Sequence, residues 1–111
     1  MIKISKTAFR WTITLNRTNK ANAINMEMLS KLNSILDAAK KEEQLRSLIF
    51  TGEGKVFSAG ADLDAVKKNN EITTTTQWEE LSEKIANIPC LTLAALNGTL
   101  AGGAFGMVLA C

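Results

Sequence analysis

The chain has 111 residues, 46% of them hydrophobic and 22% charged, with a net charge of +2. That is the balance of one small globular domain, and it gives no electrostatic reason to expect nucleic acid or an anionic membrane as a partner. There is no histidine or tyrosine, and the only cysteines, Cys90 and Cys111, stand far apart, so Ser-His-Asp and Cys-His catalysis within the chain are excluded and no zinc site or disulfide framework is expected.

Residues 2–5 and 9–15 read as two strands of a hairpin. In the second, Phe9, Trp11, Ile13 and Leu15 alternate with Arg10, Thr12 and Thr14, which predicts one buried face. Residues 16–22 are polar and turn-like. Asn25 is placed to cap a helix, Glu27 lies in its first turn, and Leu29, Leu32, Ile35 or Leu36, and Ala39 recur at helical spacing; with Lys40 and Lys41 suited to the C-terminal dipole, this predicts a helix over 26–41. Residues 47–51, with Leu48, Ile49 and Phe50, read as a buried strand. A long loop of small residues follows over 52–62, and Asp62 can cap a short helix over 63–68. The polar stretch 69–76, with its run of threonines, reads as a surface loop. Trp78, Leu81, Ile85 and Ile88 mark a second amphipathic helix, which Pro89 stops. Residues 90–96 read as a buried strand, Asn97-Gly98 as a turn, and 100–111, small and apolar throughout, as a buried helix beginning at the glycines. Alternating strands and helices predict an α/β fold with a mostly parallel sheet. No internal repeat is visible. No apolar run approaches the roughly 18 residues of a membrane span, and the N-terminus carries no signal-peptide pattern; the expected location is cytoplasmic or an organellar matrix, with no membrane partner.

The glycines after residue 51 invite comparison with nucleotide loops and fail it. Phe57 stands where a dinucleotide fingerprint needs its third glycine, and Gly54-Lys55 is followed by Val56 rather than Ser or Thr. Two strand-to-helix segments, 58–62 and 98–103, suggest other chemistry. Each puts small residues just before a helix, where free backbone N–H groups carry partial positive charge. Two such groups converging on one point would make an oxyanion hole, and small residues would let a thioester reach the backbone. Packing of buried helices is the competing explanation of the same small residues.

The blocks Leu15-Asn16-Arg17, Lys20-Ala21-Asn22-Ala23, Phe57-Ser58-Ala59-Gly60-Ala61-Asp62-Leu63, Ala95-Leu96-Asn97-Gly98, Ala101-Gly102-Gly103-Ala104 and Leu109-Ala110-Cys111 run through essentially the whole chain. In this order and spacing the sequence resembles the crotonase superfamily, the enoyl-CoA hydratases and isomerases. The resemblance implies an α/β, crotonase-like ββα spiral. Residues 1–111 would be a partial acyl-CoA-binding domain, the N-terminal portion of the core without the C-terminal helical trimerisation region. It implies a bent acyl-CoA whose thioester enolate is held by two backbone N–H groups, by motif position those of Ala61 and Gly103, with Gly60 and Gly102 beside them. Lys20, Ala21 and Ala23 match the stretch beside the pantetheine and adenine of CoA. Ala59 faces the nucleotide end, and Asp62, Leu63 and Asp64 begin the short helix over the acyl pocket. Asp62 reads better as a helix cap than as a catalytic acid, and Lys20 is either a solvated lysine or a phosphate contact. No cofactor is implied beyond coenzyme A as part of the substrate, and no metal.

The sequence departs from the family pattern in three places. Gly106 stands where hydratases carry a glutamate that helps activate water, Thr18 stands where a proline is usual, and the second family carboxylate would lie beyond Cys111. An enoyl-CoA isomerase-like reaction with a single base supplied outside these residues is therefore expected over a two-glutamate hydration. The rival expectation is a non-catalytic acyl-CoA-binding or scaffold relative, or an inactive fragment. Family members are more than twice as long, so an open sheet edge is expected, to be covered in a homo-oligomer (trimer or hexamer) or by a second chain.

Overall fold

The computed structural model describes residues 1–69 and 71–111. Strands β1 (Ile2–Lys6) and β2 (Arg10–Leu15) form an antiparallel hairpin with Ile4 opposite Ile13. Trp11, Ile13 and Leu15 are buried, as alternation requires, but Phe9 is 58% exposed. It precedes the strand at the hairpin corner, where its carbonyl accepts the N–H groups of Arg46 and Ser47 while its ring points outward. Helix α1 (Met26–Lys40) starts at Asn25, whose Oδ1 accepts the Met28 N–H at 2.9 Å, and it buries Met28, Leu29, Leu32, Ile35, Leu36 and Ala39. Strand β3 (Ser47–Gly52) runs parallel to β2. Only Leu48 and Phe50 of β3 are fully buried; Ile49 points to the other face of the sheet and is half-buried.

The loop expected over 52–62 contains a strand, β4 (Val56–Ser58), and helix α2 (Leu63–Asn69) follows it. Of the loop expected over 69–76, residue 70 lies outside the described residues, and Glu71–Thr74 form the short helix α3. Its one large apolar residue, Ile72, is fully buried and anchors an otherwise polar segment. Helix α4 (Gln77–Asn87) buries Leu81 and Ile85 and packs against α1. Strands β5 (Leu91–Ala94) and β6 (Thr99–Leu100) and helix α5 (Ala104–Leu109) complete the chain.

The main sheet has the order β1-β2-β3-β5, parallel apart from the first pair, and β4 and β6 pair in a second, two-stranded parallel sheet. A repeat thus emerges that the sequence hides: β3-β4-α2 and β5-β6-α5 each run from the main sheet through the small sheet into a helix. The stretch from β2 to α1 follows the same course, with Ile24 bridging in parallel to Ala61 in place of a strand. This is the ββα spiral that the resemblance implies. Strands of two and three residues are too short to show a period, and the connections differ in length.

Two expected buried elements are not buried. Strand β5 is shorter than 90–96 and lies at the sheet edge, with Leu91 63% and Leu93 42% exposed. Helix α5 is shorter than 100–111 and buries only Ala104 and Met107, leaving Leu109 78% exposed. Among the described residues nothing packs on these outer faces. Apolar composition signals a preference for burial, and the packing of these residues does not satisfy it here. Nor is Gly98 a simple turn glycine: a Cβ there would overlap the Lys55 carbonyl, so it marks a close approach of two backbones.

Candidate functional site

The site is built where the turn after β2 meets the segments that follow β4 and β6. A single 3-10 turn, Thr18–Lys20, ends with Ala21 and Asn22 in consecutive left-handed conformations, φ 51° and 54°. Asn22 is buried and fully used. Its Oδ1 accepts the Arg17 N–H at 2.7 Å, and its Nδ2 donates to the Glu53 and Val56 carbonyls at 3.0 and 2.8 Å. Its own carbonyl accepts the buried Ser58 hydroxyl at 2.9 Å. That hydroxyl also accepts the Gly60 N–H at 3.0 Å. The Ala59 N–H donates to Ala21, the Ile24 N–H to Gly60 at 2.7 Å, and the Asp62 N–H to Ile24 at 2.9 Å. The turn over 20–24 is thus laced to 58–62 across nearly forty residues of sequence.

This lacing orients Ala61. Gly60 and Asp62 turn their carbonyl and N–H toward Ile24, so the groups of Ala61 between them point to the opposite edge. On that side lies the segment after β6, tied in by the Ala101 N–H donating to the Ser58 carbonyl at 3.0 Å. Gly60 and Gly102 meet there with positive φ, 95° and 61°. A Cβ on Gly60 would sit 2.9 Å from the Gly103 nitrogen and 2.8 Å from the Ala101 carbonyl oxygen. Only glycine permits this approach. It brings Gly103 beside the peptide that carries the Ala61 N–H, and among the described residues neither N–H has a protein acceptor.

Two openings flank this junction. An open depression of about 290 Å³ is lined by Lys20, Ala23, Ala59, Ala61, Asp62, Leu63 and Asp64. Gly60, Gly102 and Gly103 form the backbone junction itself, and Ala21 lies behind, facing the Glu53–Val56 side. The second opening, about 520 Å³, is lined by Trp78, Glu79, Ser82, Glu83, Gly103 and Gly106. The Trp78 ring would lie 3.3 Å from a Cβ on Gly103, and its Nε1–H is anchored on the Ile72 carbonyl at 2.9 Å. Gly106 faces Ser82, whose Oγ would be 3.3 Å from a Cβ there.

Asp62 is 6% exposed and engaged. Its Oδ2 accepts from Arg17 Nη1 at 2.7 Å, and its Oδ1 accepts the Asp64 N–H at 3.0 Å at the start of α2. The Arg17 guanidinium holds the carboxyl below the ordinary aspartate pKa, against the opposing pull of burial, and the Asp64 and Ala65 N–H groups add to the lowering. The carboxylate is charged and occupied, which suits a cap rather than an acid. Lys20 is exposed and 3.3 Å from Asp64, a surface pair of little energy that leaves its ammonium free to reorient. Arg17, Asn22 and Ser58 lie in the motif blocks of the sequence, Asn22 within the segment expected beside CoA. The bracing role of their side chains is not legible there, because the partners they brace are distant in sequence.

The sequence profile described as "Enoyl-CoA hydratase/isomerase" matches residues 10–111. The chain is 35% identical over 95 residues to a probable enoyl-CoA hydratase of Bacillus subtilis, covering 82% of this chain and 37% of that protein. It is 35% identical over 107 residues to 4-chlorobenzoyl coenzyme A dehalogenase-2 of Arthrobacter sp, covering 90% of this chain and 39% of that one. The crystal structure of an enoyl-CoA hydratase from Bacillus anthracis superposes with a TM-score of 0.88 at 33% identity, covering 99% of this chain and 45% of that one. The chain spans less than half the length of these relatives.

Proposed function

The chain belongs to the enoyl-CoA hydratase/isomerase family, and on that premise we propose that it binds an acyl-CoA thioester and stabilises its enolate between the N–H groups of Ala61 and Gly103. One observation carries this reading: the back-to-back glycines Gly60 and Gly102 allow Gly103 to lie beside the peptide that carries the Ala61 N–H, and among the described residues neither N–H has a protein acceptor. Removal of a proton from the carbon next to the thioester would send the electron pair onto the carbonyl oxygen, where two fixed donors stabilise the charge at no cost in reorganisation. The CoA moiety would run along the depression from Lys20 and Ala23 past Ala59 to Leu63, with Lys20 free to reach a phosphate. Leu63, 72% exposed, would meet the ligand's apolar part.

Gly106 supports an isomerase-like proton transfer over a two-acid hydration, because no side chain at that position can hold water. The base that moves the proton would come from outside residues 1–111. The second reading, a non-catalytic acyl-CoA binder, is favoured by the same glycine. Either working form would be an assembly, a homo-oligomer or a complex with a completing chain. No charged residue occurs from Ile85 to Cys111, yet Leu91, Leu93, Leu96, Phe105 and Leu109 are exposed. A stable monodisperse monomer in light scattering would count against the assembly. A cytoplasmic or organellar-matrix location fits free thiols at Cys90 and Cys111.

The binding claim is tested by titrating the ¹⁵N-labelled chain with acetyl-CoA and longer acyl-CoA. The Ala61 and Gly103 amide resonances should move together, and the melting temperature should rise. No change at millimolar ligand would overturn it. With a completing chain supplied, proline at 61 or 103 deletes the N–H and should abolish turnover.

A further inference from the structure

We propose that Arg17 is a positioning residue for the oxyanion hole: its guanidinium clamps the Asp62 carboxylate and the Ala23 carbonyl together and thereby fixes the direction of the Ala61 N–H. The proposal rests on the reading of Ala61 as an oxyanion donor. Ala61 has only a methyl side chain, and among the described residues its N–H has no partner of its own. Its orientation is therefore set by its neighbours. On one side is Gly60, at φ 95°, the residue whose backbone turns most freely once neighbouring contacts are loosened. On the other is Asp62. Both are tied to Ile24, whose N–H donates to the Gly60 carbonyl at 2.7 Å and whose carbonyl accepts the Asp62 N–H, so the direction of the Ala61 N–H depends on a restraint that holds this Ile24 junction in place.

Arg17 supplies it by closing a ring. One nitrogen, Nη1, donates to Asp62 Oδ2 at 2.7 Å and to the Ala23 carbonyl at 3.1 Å. The peptide from Ala23 leads to Ile24, which has no exposed surface, and the Ile24 carbonyl accepts the Asp62 N–H at 2.9 Å. The ring thus runs from guanidinium to Ala23, to Ile24, to the Asp62 backbone and back through the Asp62 side chain. It joins two segments forty residues apart, immediately beside the peptide plane that carries the Ala61 N–H. The side chains of Arg17 and Asp62 are 16% and 9% exposed, so water competes little for these bonds. A hydrogen-bond donor displaced by a fraction of an ångström loses much of its effect on a developing charge, so an N–H without a second restraint needs a neighbouring clamp.

The test reads carbonyl polarisation directly. The full chain is mixed with 4-(dimethylamino)cinnamoyl-CoA, whose absorption moves to longer wavelength when its thioester carbonyl is polarised. The wild-type protein should show this red-shift. R17M should lose more than about half of it while its dissociation constant for the probe rises by less than about threefold, because Arg17 itself does not line the depression assigned to CoA. R17K, which can still place an ammonium near both acceptors, should recover part of the shift. In parallel, the Asp62 and Ile24 amide hydrogens should exchange about tenfold faster in R17M while core strands keep their protection, a readout a general loss of stability would not give. Should R17M fail to fold, D62N, nearly isosteric but uncharged, is read by its red-shift at saturating probe, because Asp62 itself lines the depression and its affinity can change for that reason. A red-shift that survives R17M or D62N at full size overturns the role of Arg17 alone. A wild-type protein that does not bind the probe, or binds it without a red-shift, overturns the oxyanion reading and this role with it.

Discussion

In the proposed site Ala61 and Gly103 would serve one oxyanion, yet the segments that carry them are held by different physics. The Ala61 side is tied by polar groups: the Arg17–Asp62 pair, the Ile24 bridge, and the buried Asn22 and Ser58, each with several partners. The Gly103 side is tied through backbone alone, by the β4–β6 pairing and the Ala101 N–H to the Ser58 carbonyl, and by close approach of glycine backbones and the Trp78 ring. A polar network fixes direction, whereas apolar contact fixes distance. The Ala61 half should therefore be oriented in the free chain, and the Gly103 half should depend on what packs against α4 and α5.

Four perturbations bear on that difference. The largest effect is expected from Gly60→Ala, which attacks both halves at once. It forces a side chain into positive φ and against three backbone atoms within 2.9 Å, and should cost about 3 kcal/mol or more in chemical denaturation. A smaller loss would mean that the two segments can separate freely. Next is Trp78→Ala, which strips the wall from Gly103 and the Nε1–H bond from Ile72. Since Trp78 is only half-buried, a loss of about 2–3 kcal/mol is expected. By NMR the Gly103 amide should shift while Ala61 stays put, and equal movement of both would erase the proposed distinction.

The third concerns acid. Because Arg17 depresses the Asp62 pKa in the folded state, the stabilisation is present above the ordinary aspartate range and is lost as pH falls through the lowered value. Asp62→Asn should remove roughly 1–2 kcal/mol at neutral pH and flatten this part of the acid melting curve, measured by urea titrations down to pH 2. An unchanged curve would show that the pair contributes nothing. The smallest effect is expected from Gly106→Glu. The new Cβ would meet only the Ser82 hydroxyl, at 3.3 Å, and the rest of the side chain would extend toward the opening lined by Glu79 and Glu83. A helical glycine is replaced, so stability should stay within about 1 kcal/mol of wild type. A large loss would show that the Gly103 half tolerates no change in how α5 meets α4.

Much of the fold was legible because its long elements repeat a local pattern. Alternation marked β2 at Trp11, Ile13 and Leu15, and the Asn25 cap with apolar residues at helical spacing marked α1. The short pieces were not legible. Val56–Ser58 and Thr99–Leu100 are strands only because each pairs with the other, and α3 is a helix held by the single apolar Ile72. The burial expected for 90–96 and 100–111 failed for a related reason. Composition states what a segment prefers to bury and says nothing about whether another element is present to cover it.

By itself, the sequence determined the family, the alternation of strands and helices, and which small residues occupy the two segments of the candidate site, since these depend on residue identity and short-range spacing. Only the tertiary structure decided that Gly60 and Gly102 lie back to back, that Asp62 is engaged by Arg17 rather than free, and that β5 and α5 keep bare apolar faces. Each of these depends on contacts between residues dozens of positions apart, and a backbone N–H acquires its direction only from the partners that fix the peptides around it.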